Sequence, residues 1–148
     1  MFKKIIVGFD GSETSKNAVR IACDLAGKYG SDLHLVHTPQ PETVAFALGA
    51  VAGYHAVTTM PSSEEVKDAA DKVVKAGEAI AAEQGCPIKE VHVMNGTPAE
   101  NIVDCAEDLG ADLIVTGRRG LGKVGALVQG STTQRIGHLA KCACLSVV

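Results

Sequence analysis

Five short apolar runs alternate with helical patterns along the chain, and this alternation limits the fold more than any other feature. Strands that alternate with helices form a parallel sheet whose right-handed crossovers cover both faces. With 148 residues, the chain also has the length of one ordinary domain. We therefore predict a single α/β domain over residues 1–148, with an open five-stranded parallel sheet of order 3-2-1-4-5. The predicted strands are residues 3–9, 32–38, 88–94, 112–116 and 144–148.

Capping patterns mark where the helices begin. Ser12 is a candidate N-cap for the first helix, and the segments SSEE (62–65) and STTQ (131–134) have the spacing of a capping box. The segment TPAE (97–100) adds a proline at the first helical position, where its missing N–H costs no hydrogen bond. Glycines predict where the helices end, namely Gly30, Gly85 and Gly110.

Residues 40–60 are small, apolar and interrupted by glycines, and they show no clear periodicity. A mobile lid, a partner surface and a short helix all fit this composition. The most apolar part, residues 44–57, is shorter than the roughly 18 residues that a transmembrane helix needs. The N-terminus shows no signal-peptide pattern. We therefore expect no membrane span.

The net charge indicates which partners to expect, and the cysteine content indicates the cellular compartment. The net charge of −3 offers no broad basic surface, so neither nucleic acid nor an anionic membrane is expected as a partner. Five cysteines without CxxC spacing favour the reduced thiols of a cytoplasmic protein. His34 and His37 are expected on opposite faces of one strand, and no spacing typical of zinc ligands is found.

Two unusual loops follow predicted strands that should be neighbours. Asp10-Gly11-Ser12 follows the first strand, and the glycine-rich stretch 117–130 follows the fourth. In open α/β sheets, ligands bind beyond the carboxyl ends of the strands where the strand order reverses. The order 3-2-1-4-5 places that reversal between strands one and four. We therefore predict one cleft with a carboxylate on one side and backbone donors on the other.

The glycine-rich stretch does not match the two best-known phosphate-binding motifs. It nearly completes a P-loop, but Val124 stands where a serine or threonine would bind magnesium. It also contains the letters of a dinucleotide motif at 120–125, but after the wrong strand and with no helix directly following. Both matches are therefore interpreted as accidental.

A third pattern, Gly117-x2-Gly120-x9-Gly130-Ser131, resembles the nucleotide-binding signature of the ATP-binding branch of the universal stress protein family. The resemblance extends over the whole chain, from the opening strand with Asp10 to the segment 138–142. It implies the Rossmann-like, adenine nucleotide alpha hydrolase-like fold. It also implies ATP, ADP or AMP as the ligand, held together with Mg²⁺.

The resemblance also implies roles for individual residues. Asp10 would help to hold the metal ion, the backbone after the second strand would read adenine, and Val115 would pack on the base. Arg118 and Arg119 are either phosphate contacts or a solvated pair, and Asp10 could also form an Asx turn. The full set of predicted binding residues is Asp10, Gly11, Ser12, Val36, His37, Thr38, Val115, Gly117, Arg118, Arg119, Gly120, Gly130, Ser131 and Thr132.

Three functions follow from the resemblance. The favoured one is an ATP-binding regulatory module in the stress response that forms a homodimer through its last strand and signals to a protein partner. The second is a slow Mg²⁺-dependent ATPase or phosphotransferase, for which the sequence shows no nucleophile paired with a base. The third is a nucleotide-free dimeric stress protein. Cys142-Ala143-Cys144 departs from the Cys-Pro-Val common in the family, which affects the details of the dimer interface.

Overall fold

β1 (Lys4–Gly8) is the central strand of a five-stranded parallel sheet in a computed structural model that describes residues 1–49, 61–121 and 130–148. The strand order is β3-β2-β1-β4-β5, as predicted. Each neighbouring pair is parallel. The other strands are β2 (Asp32–His37), β3 (Glu90–Val93), β4 (Leu113–Gly117) and β5 (Ala143–Val147). The helices are α1 (Glu13–Tyr29), α2 (Pro41–Ala47), α3 (Ser63–Glu83), α4 (Pro98–Leu109) and α5 (Ser131–Leu139).

Two hydrophobic clusters cover the two faces of the sheet, because successive side chains of a strand point to opposite faces. On one face, Val7 and Leu35 pack in a cluster with residues of α1 and α3. On the other face, Ile6 and Ile114 pack in a cluster with residues of α4 and α5. Strands buried on both faces read as continuous apolar runs, which is why the sequence showed runs and not strict alternation.

Three of the predicted helix starts are confirmed, and the first two have side-chain caps. Ser12 is the N-cap of α1, and its Oγ accepts a hydrogen bond of 3.3 Å from the Ser15 N–H. Ser62 and Glu65 form the predicted capping box of α3, in which the Glu65 carboxylate accepts the Ser62 N–H at 2.7 Å. This hydrogen bond holds the pKa of Glu65 below its usual value. Gly30 ends α1 in the left-handed conformation, with φ 66°.

The predicted start of α4 is also confirmed, with Thr97 as the N-cap and Pro98 as the first helical residue, although the Thr97 side chain makes no capping hydrogen bond. The capping box predicted over 131–134 is wrong, because α5 begins at Ser131 and its N-cap is Gly130, which has no side chain to accept a hydrogen bond. The reason is tertiary: the Gly130 N–H donates to the Arg118 carbonyl at 2.8 Å, which fixes the position at which the chain enters the helix.

The segment 40–60 contains one helix in its first part. α2 starts after Gln40, with Pro41 at its first position. A short helix is thus present over 41–47, and residues 50–60 lie outside the described part of the chain. Among the described helices, none combines the length and apolar character required to cross a bilayer.

Candidate functional site

A cleft of about 460 Å³ opens at the carboxyl ends of β1 and β4, where the strand order reverses. Its volume lies within the range of about 300–1,000 Å³ that is usual for small-molecule sites. Nine of the predicted binding residues line it. They are Asp10, Val36, Thr38, Gly117, Arg119, Gly120, Gly130, Ser131 and Thr132.

The turn after β1 holds the one predicted carboxylate in a fixed orientation. Asp10 Oδ1 accepts a hydrogen bond of 2.9 Å from the Ser12 N–H, which is the Asx-type turn that the sequence left open. Gly11, between them, has φ 86°, a conformation that residues with a Cβ rarely adopt. The turn thus fixes Oδ1 and leaves Oδ2 as the oxygen directed at the neighbouring loop.

Gly120 allows the loop after β4 to approach that carboxylate closely. A Cβ at this position would lie 2.5 Å from Asp10 Oδ2, which is closer than any real carbon contact. The same loop is tied to the start of α1, because the Arg119 carbonyl accepts hydrogen bonds from the Ser12 and Thr14 hydroxyls. The requirement for glycine at 120 is therefore steric, and the two loops predicted to face each other are in direct contact.

The N-terminus of α5 faces the cleft without a side-chain cap. Gly130, Ser131 and Thr132 line the cleft, and within the described part of the chain no side chain accepts a hydrogen bond at the N-cap position. The first N–H groups of a helix have no partner within the helix, and the helix dipole favours an anion at this end. Thr133 faces back to the sheet and donates to the Gly117 carbonyl at 2.9 Å, which fixes the helix against β4.

Arg119 adds a cationic donor to the same end of the cleft. Its Nε is buried, and it has no hydrogen-bond partner among the described residues. A buried donor without a partner costs about 1–3 kcal/mol, and more for a charged group. An anion bound beside the α5 N-terminus would supply that partner.

The opposite end of the cleft is mainly apolar. Phe9, Val36 and Pro98 line it, together with the polar residues Thr38 and Gln40. The Thr38 hydroxyl is held by Asn101, whose Nδ2 donates to Thr38 Oγ1 at 2.9 Å and to the Met94 and Asn95 carbonyls. This end combines an apolar surface with a few oriented polar groups.

The main chain of β2 is hydrogen-bonded to its neighbouring strands up to His37, and this pairing stops at Thr38. The Val36 and His37 carbonyls accept from the Phe9 and Met94 N–H groups at 2.9 and 3.0 Å. For Thr38, no main-chain hydrogen bond is found within the described ranges. Its backbone N–H and C=O are thus the first in this segment that could bind a ligand.

Five predicted binding residues do not line the cleft: Gly11, Ser12, His37, Val115 and Arg118. Val115 is fully buried in the cluster on the α1 side of the sheet. His37 is buried, and its Nδ1 donates to the Phe9 carbonyl at 2.8 Å. Gly11 and Ser12 shape the turn, and Arg118 is exposed. Their placement assigns these residues to support of the cleft rather than to its lining.

His37 makes folding stability depend on pH. Burial lowers its pKa, although the Phe9 carbonyl and the Asp10 carboxylate partly oppose this effect. The unfolded chain therefore binds a proton at higher pH than the folded one, so stability is complete above about pH 6.5 and is lost as the pH falls below that value. We expect the midpoint of urea unfolding to decrease from pH 7.5 to 5.5. His37→Asn, which keeps a donor but does not titrate, should show a smaller decrease.

The matched control is His138→Asn, because His138 is exposed on α5. This variant should keep the pH dependence of the parent protein. If His37→Asn showed the full decrease in the unfolding midpoint, titration of His37 would not be its cause.

Sequence reasoning missed several residues that line the cleft. They come from the loop after β2, the first turn of α2, the start of α4 and the middle of α5, and include Gln40, Glu42, Thr43, Thr97, Pro98 and Arg135. No motif distinguishes them, but the loop after β2 and the start of α4 follow strands at the same edge of the sheet. The rule that ligands bind at carboxyl ends of strands could have found them.

Comparison with known proteins agrees with this fold. The Universal stress protein family model matches residues 1–147. A universal stress protein of Thermus aquaticus is 36% identical over 148 residues, with 99% of each chain covered. The solved structure of the Archaeoglobus fulgidus universal stress protein in complex with dAMP has a TM-score of 0.69 at 20% identity, covering 99% of this chain and 98% of that one. A universal stress protein in complex with cAMP has a TM-score of 0.69 at 23% identity, covering 99% and 97%. The chain belongs to the universal stress protein family.

Proposed function

We propose that this protein binds ATP in the cleft between the turn after β1 and the N-terminus of α5, and acts as a nucleotide-dependent regulatory module in the stress response. The observation that carries the proposal is the convergence of an uncapped helix N-terminus and the buried, unpartnered Nε of Arg119 at one end of a cleft. Universal stress proteins solved with dAMP and with cAMP support an adenine nucleotide as the ligand.

The phosphates lie, in this proposal, at the end formed by α5 and the loop after β4. The N–H groups of residues 131–133 and the Arg119 guanidinium donate to phosphate oxygens, as is usual for anions at helix N-termini. Each hydrogen bond to a charged group contributes about 1.5–3 kcal/mol. Because about 8 kcal/mol corresponds to a micromolar dissociation constant, four or five such donors are sufficient for an acidic protein to bind ATP.

The adenine base lies at the apolar end. Phe9, Val36 and Pro98 supply the apolar surface, and the Thr38 main chain supplies a donor and an acceptor for the base edge. Asn101 keeps the Thr38 segment in place through its three hydrogen bonds. Adenine carries adjacent donor and acceptor groups, so this arrangement favours it over a base with the reverse pattern.

Mg²⁺ fits the Asp10 side of the cleft. Mg²⁺ in nucleotide sites is commonly held by one or two carboxylates together with phosphate oxygens and water. Asp10 Oδ1 is occupied by the Ser12 N–H, which leaves Oδ2 beside Gly120 for the ion. When bound, the ion would neutralise phosphate charge, and Asp10 would orient it.

Homodimerisation through β5 completes the proposed module. β5 is an edge strand of the sheet, and four of its five residues are exposed, including Leu145. An exposed edge strand is a template for pairing with a second chain. The nucleotide bound in the cleft would then change a surface to which a protein partner binds.

The proposal predicts that ATP binds at least about tenfold more tightly than adenosine, because adenosine has no phosphate to accept from Arg119 and the α5 amides. Isothermal titration with ATP, AMP, GTP and adenosine measures this difference directly. Mass spectrometry of ligand released from purified protein by denaturation identifies the nucleotide bound in cells.

Asp10→Ala should reduce the dependence of ATP affinity on Mg²⁺.

Two results would contradict the proposal. Protein that carries no nucleotide and gives no heat with ATP would favour the nucleotide-free dimeric stress protein. ATP hydrolysis faster than about one turnover per second, within the usual range of enzymes, would favour an ATPase or phosphotransferase.

A further inference from the structure

Two histidines and a glutamate meet on the two outermost strands at the β3 edge of the sheet, outside the lining of the cleft. In the register of β2 with β3, His34 pairs with Glu90, and His92 lies two residues further on the same face as Glu90. His34 Nδ1 and His92 Nε2 are 3.2 Å apart. Glu90 Oε2 is 4.0 Å from the first of these nitrogens and 3.8 Å from the second.

These three separations suit a small divalent cation. A point equidistant from the three atoms lies about 2.1 Å from each, which matches Zn–N and Zn–O bonds of about 2.0–2.2 Å. A histidine–histidine hydrogen bond alone would explain the 3.2 Å distance. It would not explain why a carboxylate oxygen lies within 4.0 Å of both nitrogens.

The surroundings of His34 allow its imidazole ring to bind a metal ion. His34 is 3% exposed, and its Nε2 has no hydrogen-bond partner among the described residues. Nε2 can therefore hold the ring proton when Nδ1 binds a metal ion. Burial and the nearby His92 ring lower the pKa of His34, although Glu90 opposes this effect. This shift favours the neutral imidazole, which is the form of histidine that binds metals.

We propose that His34, Glu90 and His92 form a binding site for one Zn²⁺ ion, with water completing the coordination. Two imidazoles and one carboxylate are a known zinc ligand set that leaves a position open. The two imidazole nitrogens face each other, because the ring centroids are 5.5 Å apart while the nitrogens are 3.2 Å apart. Binding therefore turns the more exposed His92 ring toward Glu90, and the proton shared between the rings moves to the other nitrogen of its own ring.

The proposed zinc site is separate from the cleft. None of its three residues lines the cleft, and all three lie on the two outermost strands at the β3 edge of the sheet. The exposure of the Glu90 and His92 side chains, 60% and 20%, gives an ion a path from solvent. A zinc ion would cross-link β3, which is an edge strand of only four residues, to β2.

No sequence motif marks this site, because its ligands come from two strands, with His34 and Glu90 56 positions apart in the chain. Searches for zinc spacing find ligands that are close in the chain, whereas this cluster depends on strand pairing. The linear sequence shows no zinc spacing, and the register of β2 with β3 brings the three ligands together.

The test is titration of chelator-treated protein with Zn²⁺ and Co²⁺. We expect one equivalent of Co²⁺ to give visible d–d absorption without thiolate charge-transfer bands, and Zn²⁺ to displace it. Glu90→Gln and His92→Gln should each weaken Zn²⁺ binding at least about tenfold. Both positions are on the solvent side of the cluster, so the fold should persist, as circular dichroism would verify.

His138→Gln is the matched control, because His138 is exposed on α5 and outside the cluster. It should bind Zn²⁺ as the parent protein does. The proposal is overturned if the parent protein binds no Zn²⁺, if Glu90→Gln and His92→Gln bind it as well as the parent, or if the Co²⁺ spectrum shows thiolate ligands. ATP titration of the same variants should be unchanged, which separates this test from that of the cleft.

Discussion

Gly117→Ala is expected to destabilise the folded protein by about 1–3 kcal/mol, the usual cost of an added carbon in a closely packed site. A Cβ at residue 117 would lie 2.5 Å from Thr14 Oγ1 and 2.7 Å from the Ser15 backbone nitrogen. The backbone at the start of α1 cannot move away easily, because Ser12 caps it and Thr14 is bonded to the loop after β4. Either α1 shifts or β4 loses its hydrogen bonds to β5. Urea unfolding monitored by circular dichroism measures the change.

Gly27→Ala is the matched control for this substitution. Gly27 lies within α1, and nothing is within 4 Å of the position its Cβ would take. Alanine favours a helix interior over glycine by roughly 0.5–1 kcal/mol, so this variant should be more stable than the parent. Equal stability changes in the two variants would show that steric contact at 117 is not the cause.

Arg119→Gln is expected to weaken ATP binding by about ten- to a hundredfold, because it removes a hydrogen bond from a charged donor, worth about 1.5–3 kcal/mol. The substitution leaves the backbone in place, since the Arg119 carbonyl is the group that binds Ser12 and Thr14. Adenosine affinity should not change. The comparison of ATP with adenosine, by isothermal titration, therefore isolates the contact with phosphate.

Arg20→Gln provides the charge-matched control. Arg20 is exposed on α1, and its side chain bonds only to Asn17 among the hydrogen bonds of the described residues. It removes the same formal charge from the protein without touching the cleft, so ATP affinity should stay near that of the parent. If both variants weakened ATP binding equally, the effect would be one of net charge and not of a contact at Arg119.

The topology could be predicted because it depends on patterns that extend over whole segments. Continuous apolar runs such as Ile5–Val7 indicate strands buried on both faces, and the helices between them require parallel pairing. Local signals such as the Ser62–Glu65 box and Gly30 worked because their hydrogen bonds are made within one turn.

The helix start at Ser131 and the placement of Val115 could not be predicted in the same way. A bond from the Gly130 N–H to the Arg118 carbonyl decides where α5 begins, and that bond spans the whole glycine-rich stretch. Val115 pairs with Val7 and Leu145 and faces α1, while its neighbour Ile114 faces α4 and α5. Which of two adjacent apolar residues faces which layer depends on packing between distant segments.

Some of the predicted site residues support the cleft from behind. The main chain of the segment that contains His37 was expected to read the base, and the His37 side chain is buried, where its Nδ1 donates to the Phe9 carbonyl. This hydrogen bond uses the Phe9 carbonyl directly after β1, at the point where the pairing with β2 stops and Thr38 begins the next loop. The family resemblance points to this segment as a whole, and the alternation of side chains along β2 separates Val36, which lines the cleft, from His37, which is buried behind it.

The bond between Gly130 and Arg118 has a consequence for how such a protein can diversify. The two residues are hydrogen-bonded to each other, and Arg118 is in turn bonded to Val147 at the end of β5. The two ends of the connecting stretch are thus anchored to the scaffold, and the entropy of closing it rises by only about 0.6 kcal/mol for each doubling of its length. Insertions, deletions or a grafted recognition sequence between these anchors should leave the sheet intact, so specificity could be changed by design without repacking the interior.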